Sequence, residues 1–258
     1  MRLFLALVRR LPPGPAAVLL VLPLAACGGG YSWGWYVVSP ETAPGRRNLS
    51  FLLSGLGYTI ALSVIAMVAS VAVGLLLGLL ALQRSRPLRM VNRVYVEVFR
   101  AIPMLVMILW VYYGLPVVLG ISLNAFLAGI IALALCDSAF EAEIFRAGIQ
   151  SIDRGQHEAA DTLGLSYLDK MRFIILPQAI RRVLPPLGNQ FVYMLKMSSL
   201  VSVIGLTELT RRANELVVTE YRPLEIYSFL VLEYLVLIIL VSWGVRTLER
   251  RLARSEHR

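Results

Sequence analysis

Three features of this chain have the residue types and spacing to do chemistry. Asp137 and Glu141 stand four apart in an apolar run, so a helix would put both carboxyls on one face. A charge at the centre of a bilayer costs about 2.5–3.5 kcal/mol, so such groups face a cavity or a partner. Two readings stand. They line a path that favours a cationic solute, or they pair with Arg100, Lys196 or basic inner loops, or sit at headgroup level. Lys196, in another apolar run, could meet a substrate carboxylate, or it could snorkel or pair with Glu225 or Glu233. The third feature, His157-Glu158, begins the zinc-peptidase pattern H-E-x-x-H, but Asp161 occupies the fifth position and the only other histidine is His257. No metal site and no cofactor are expected. Neither Lys170 nor Lys196 follows a glycine, so there is no G-x-x-x-x-G-K-[ST] loop for ATP and no enzyme activity is expected.

The elements that must position these residues are membrane helices. The 258 residues are 58% hydrophobic and only 16% charged, with a mean hydropathy of +0.71. That leaves too little polar surface for a soluble globule of this size. A hydrocarbon core of about 30 Å needs about 20 apolar residues in helical form. Runs over about 55–82, 98–119, 123–142, 187–206 and 226–245 meet that length. The expected fold is all-α: a polytopic membrane bundle of five core helices, plus a possible N-terminal helix or signal segment over about 15–27.

The net charge of +9 could suggest nucleic acid, yet the basic residues lie between apolar runs and not in a stripe with aromatics. Placing the 143–186 loop in the cytoplasm and alternating from there puts nineteen of the 25 Lys and Arg residues inside. Only Arg46, Arg47, Arg211, Arg212 and Arg222 fall outside, and Lys196 stays within a span. That bias fixes the orientation. Cys136 and Cys27 are too few for a disulfide framework, and Cys136 reads as a packing residue. Leu24-Ala25-Ala26-Cys27 reads either as a lipoprotein cleavage box or as the end of a retained short helix. The expected organisation is a lead-in over 1–50, a transmembrane domain over 51–251, and a cytoplasmic tail over 252–258.

The loop between the third and fourth core spans has the most specific pattern. Asp153 can cap a helix beginning near Gly155 and running through Glu158-Ala159-Ala160. Adjacent alanines give it a surface with little bulk. Gly164 can end it in the left-handed conformation. Ser166 and Asp169 form a capping-box-like pair for a second helix, and Pro177 is expected to re-aim the chain towards the next span. The expectation is a helix–turn–helix that projects from the membrane as a lever.

Written as a pattern, this is E-A-A, three residues, G, nine residues, I-x-L-P, and it resembles the loop with which ABC importer permeases dock on their ATP-hydrolysing subunit. The blocks Tyr95 to Pro103, Ala142 to Ile149, Pro185 to Phe191 and Ser198 to Gly205 extend the resemblance to the polar amino acid (histidine/glutamate-type) branch, over about 51–251. The chain departs from that pattern at Met197, near Met107 and over 136–141.

The resemblance implies a type I importer subunit in the bacterial inner membrane. Its implied partners are an ATP-binding subunit, an extracytoplasmic amino acid-binding protein and a second permease chain, identical or not. It assigns ATPase coupling to Glu158, Ala159, Ala160 and Gly164, and leaves Asp137, Glu141 and Lys196 as candidates for the substrate path. The alternative is a secondary transporter or channel with no ATPase partner. A lipidated sensory membrane protein is a third reading, suggested only by the Cys27 box.

Overall fold

The structure, a computed structural model, describes residues 31–83 and 85–254. The expectations for the segment ending at Cys27 lie outside these residues. The chain divides into two units at Trp35 and Tyr36. The described end of the first contains Tyr31, Trp33 and Trp35, whose rings pack in series with centroids 5.2 and 5.5 Å apart.

The second unit is built from helices: α1 (Ala43–Leu53), α2 (Leu56–Ala81), α3 (Arg86–Ala101), α4 (Met104–Leu119), α5 (Ala125–Gln150), α6 (Arg154–Thr162), α7 (Tyr167–Ile204), α8 (Leu209–Glu220) and α9 (Pro223–Arg254). Among the described residues three helical stretches are long and apolar enough to cross a membrane alone, within α1–α2, α5 and α9. Counting each of two bent pairs, α3 with α4 and α7 with α8, as one span gives five.

Small residues let the two central helices approach closely. A Cβ on Gly74 of α2 would lie 2.7 Å from the Glu141 Cβ, and one on Gly78 would lie 2.9 Å from the Phe145 Cβ. In a membrane, where apolar burial gives little drive, such close backbone packing holds helices together. Around this pair, Leu62 and Ala66 of α2, Met107, Ile108 and Val111 of α4, Ala132 and Leu133 of α5, and Met194 and Val201 of α7 form the main core. A second core joins Leu52 of α1, Leu195 of α7, Leu209 and Ala213 of α8, and Ile226 and Leu230 of α9.

Two expectations about span boundaries are corrected. The run 98–119 is not one helix: α3 stops at Ala101, Ile102 and Pro103 are extended, and α4 leaves at 100°. Proline pushes the preceding residue out of the helical region, so the break falls where the chemistry requires it. The fourth span does not begin afresh at 187. Helix α7 runs on from Tyr167 and carries Pro177, Pro185 and Pro186 within one unbroken helical stretch. A π-helical turn over Lys170–Ile175 precedes Pro177, with the Leu176 N–H donating to the Met171 carbonyl five residues back. This wider turn makes room for the proline ring.

Candidate functional site

The polar hairpin α6–α7 forms as its caps dictate. Asp153 Oδ1 accepts from the Gly155 N–H at 2.7 Å and starts α6. At the other end Gly164 has φ +72°. The Gly164 N–H donates to the Asp161 carbonyl (3.0 Å) and the Leu165 N–H to the Ala160 carbonyl (3.2 Å), the paired bonds of a Schellman closure. Ser166 Oγ then accepts from the Asp169 N–H and donates to its carboxylate (2.6 Å), starting α7.

Long-range contacts fix the hairpin's angle. Lys170 Nζ donates to Asp161 Oδ1 at 2.6 Å. Gln178 Nε2 donates to Gln156 Oε1 at 3.0 Å, and Arg182 donates to the Ser151 carbonyl. Ile152, Ile175 and Ala179 form a small core at the hairpin's base.

Of the four expected coupling residues, Glu158, Ala159 and Gly164 are exposed. Ala160 is not: it is 2% exposed, turned into the hairpin. Its small side chain serves the hairpin's own packing instead of an outer surface. Sequence reasoning missed a neighbouring apolar set, Leu163, Tyr167, Leu168 and Phe173, which are 61–76% exposed. Large apolar side chains bared on a charged hairpin mark an interaction surface. The available signal was their position beside the two caps, in a segment too polar to enter a membrane.

The candidate path residues are distributed differently. Asp137 is 1% and Glu141 0% exposed, both on α5 where it meets α2. Among the described residues neither pairs with a cation. Ser70 Oγ donates to Asp137 Oδ2 at 3.3 Å, and the Gln190 amide of α7 donates to Asp137 Oδ1. The Glu141 carboxyl lies beside Asp137 and Ser70, yet both its oxygens are buried outside hydrogen-bond geometry. Arg100 stacks over the Phe140 ring at 4.8 Å, and Glu143 pairs with Arg146 at 2.6 Å. Lys196 is exposed and makes no side-chain hydrogen bond or ion pair among the described residues, so Glu225 and Glu233 are not its partners here. The structure therefore brings Asp137 and Glu141 together with Gln190 and Ser70, and leaves Lys196 apart. Among the described residues no group of three His, Cys, Asp or Glu side chains could hold a metal ion.

Apolar helices around a close-packed centre, with a capped polar hairpin between two of them, define a polytopic helical bundle of the membrane-spanning class. A family model described as "Binding-protein-dependent transport system inner membrane component" matches residues 70–254. The chain is 41% identical over 208 residues to the probable glutamine ABC transporter permease protein GlnM of Bacillus subtilis, covering 81% of this chain and 96% of that one. It is 35% identical over 209 residues to the arginine transport system permease protein ArtQ of the same organism, covering 81% and 95%. A crystal structure of an amino acid ABC transporter with histidines superposes with a TM-score of 0.75 at 41% identity, covering 80% and 96%. The MetNI methionine ABC transporter, at 19% identity and a TM-score of 0.70, shares the fold. This chain belongs to the binding-protein-dependent transport system inner membrane component family. It is a multi-pass permease subunit of the inner membrane and not itself an enzyme.

Proposed function

We propose that this chain is the permease subunit of an ATP-driven amino acid importer. It receives an amino acid from an extracytoplasmic binding protein and works paired with a second permease chain. A separate ATP-binding subunit docks on the α6–α7 hairpin. The observation that carries this reading is the hairpin itself: capped at three points, braced by Lys170–Asp161, and baring Glu158, Ala159 and Gly164 beside Leu163, Tyr167, Leu168 and Phe173. An amino acid cargo is supported by the relatives, which are named for glutamine and arginine.

A rigid lever suits alternating access. ATP closing two partner subunits would pull the two hairpins together, and the continuous helix α7 would carry that displacement into the bundle. Asp137, held by Gln190 of α7 and Ser70 of α2, joins the lever helix to the bundle centre. We assign Asp137 and Glu141 to the substrate path as sites exposed when these helices part, and Lys196 to a substrate carboxylate. The test is co-purification of an ATPase subunit with the full chain, then ATP-driven uptake of labelled glutamine and arginine by reconstituted vesicles. Uptake that proceeds without any ATPase subunit would instead identify a secondary transporter or channel.

A further inference from the structure

Helix α3 has three flanks, and the fold uses one. Asn92 and Val96 are buried, Val96 packs with Leu77, Ala139 and Ala142, and Tyr95 Oη lies 2.9 Å from Ser138 Oγ. A second flank carries Arg86, Arg89, Arg93 and Arg100, which at about 100° per residue fall within an arc of about 60°. Glu97 is the one acid on that flank. Arg100 is occupied by the Phe140 ring. Arg86, Arg89 and Arg93 are exposed, and none makes a side-chain hydrogen bond or ion pair among the described residues. On the third flank Pro87, Val91, Val94 and Val98 line an apolar groove of about 550 Å³.

The bend at Ile102–Pro103 decides what these flanks meet. Helix α4 runs beside α5, sharing its core through Met107, Ile108 and Val111, so it crosses the membrane with α5. A helix at 100° to it lies near the membrane plane. Arg100 reaches Phe140 and the neighbourhood of Glu143, in the half of α5 that leads into the hairpin. That end is cytoplasmic by the basic-residue bias. One environment changes from hydrocarbon to negative charge across the width of a single helix, and that is the headgroup boundary of a leaflet containing acidic lipid.

We propose that α3 is a binding helix for anionic phospholipid of the cytoplasmic leaflet. Arg86, Arg89 and Arg93 take headgroup phosphates, and the Val91–Val94–Val98 flank sits among the acyl chains. An acidic protein could engage the arginines but would not account for the apolar flank beside them. The proposal depends on the inward orientation of this end and not on the cargo or the ATPase.

The test is native mass spectrometry of the purified full chain with equimolar phosphatidylglycerol and phosphatidylcholine of the same acyl composition. Phosphatidylglycerol is expected to be retained in preference. With each arginine contributing about fivefold, the triple variant R86Q/R89Q/R93Q is expected to lose roughly 100-fold of that preference. The charge-preserving R86K/R89K/R93K should keep most of it, because a surface potential is felt by charge. Equal retention of the two lipids by the parent chain overturns the proposal, as does an unchanged preference in the glutamine variant. If the glutamine variant loses an ATPase subunit on co-purification while its lipid preference stays intact, the stripe binds protein and the proposal is wrong.

Discussion

Gly164 offers the cleanest perturbation of the hairpin. Its φ of +72° is left-handed, and a Cβ built there meets nothing within 4 Å. Replacing it with alanine therefore adds no clash and no contact, only the conformational cost of a left-handed L-residue, about 1–2 kcal/mol. That cost falls on the closure formed by the Gly164 and Leu165 N–H groups with the Asp161 and Ala160 carbonyls. If the closure opens locally, amide exchange at 164 and 165 should speed up roughly 5–30-fold in Gly164→Ala. Gly164→Asn should show a smaller effect, because asparagine tolerates this region. Gly164→Pro should be worse than either, since its φ is fixed near −65° and it lacks the N–H that bonds Asp161. ATP-driven uptake should fall in the same order while membrane insertion is unchanged. The control is Gly244→Ala in α9, a glycine with equally open space and no left-handed φ, which should be neutral or slightly stabilising. Wild-type exchange rates in Gly164→Ala, or equal effects of alanine and proline, would refute the reasoning.

Ala159→Trp, at an exposed position, should leave the melting temperature of the purified chain unchanged yet block ATPase co-purification. Ala160→Trp should overpack a site only 2% exposed and lower the melting temperature first. Asp137→Asn should retain an acceptor for Ser70, whereas Asp137→Leu leaves the Ser70 hydroxyl and Gln190 amide without it and should cost about 1–3 kcal/mol in detergent unfolding. Uptake competition by lysine and arginine in the double variant Asp137→Asn/Glu141→Gln tests the path assignment; an unaltered preference rejects it. A double-mutant cycle on Lys170 and Asp161 should give a coupling of at most about 1 kcal/mol, because Asp161 is 61% exposed.

The helical class, the family resemblance, the polar hairpin and all three of its caps were legible in the residues, because hydropathy, capping and glycine chemistry act over a few positions. Asp153, Gly164 and Ser166 do in three dimensions what their types predict. The bend before α4 was also available at Pro103, but an apolar run long enough to span concealed it.

What the sequence by itself determined is which segments enter hydrocarbon and where the chain must turn, since transfer energy and backbone caps are properties of local residues. Only the tertiary structure decided which side of each helix is used. A helix as uniformly apolar as α2 has no polar stripe to fix its rotation, so the pairing of Gly74 with Glu141, and of Ser70 and Gln190 with Asp137, depends on how the helices pack. The same is true of Ala160. Adjacent alanines read alike in the chain, and it is the rotation of α6 against α7 that turns one outward and the other in.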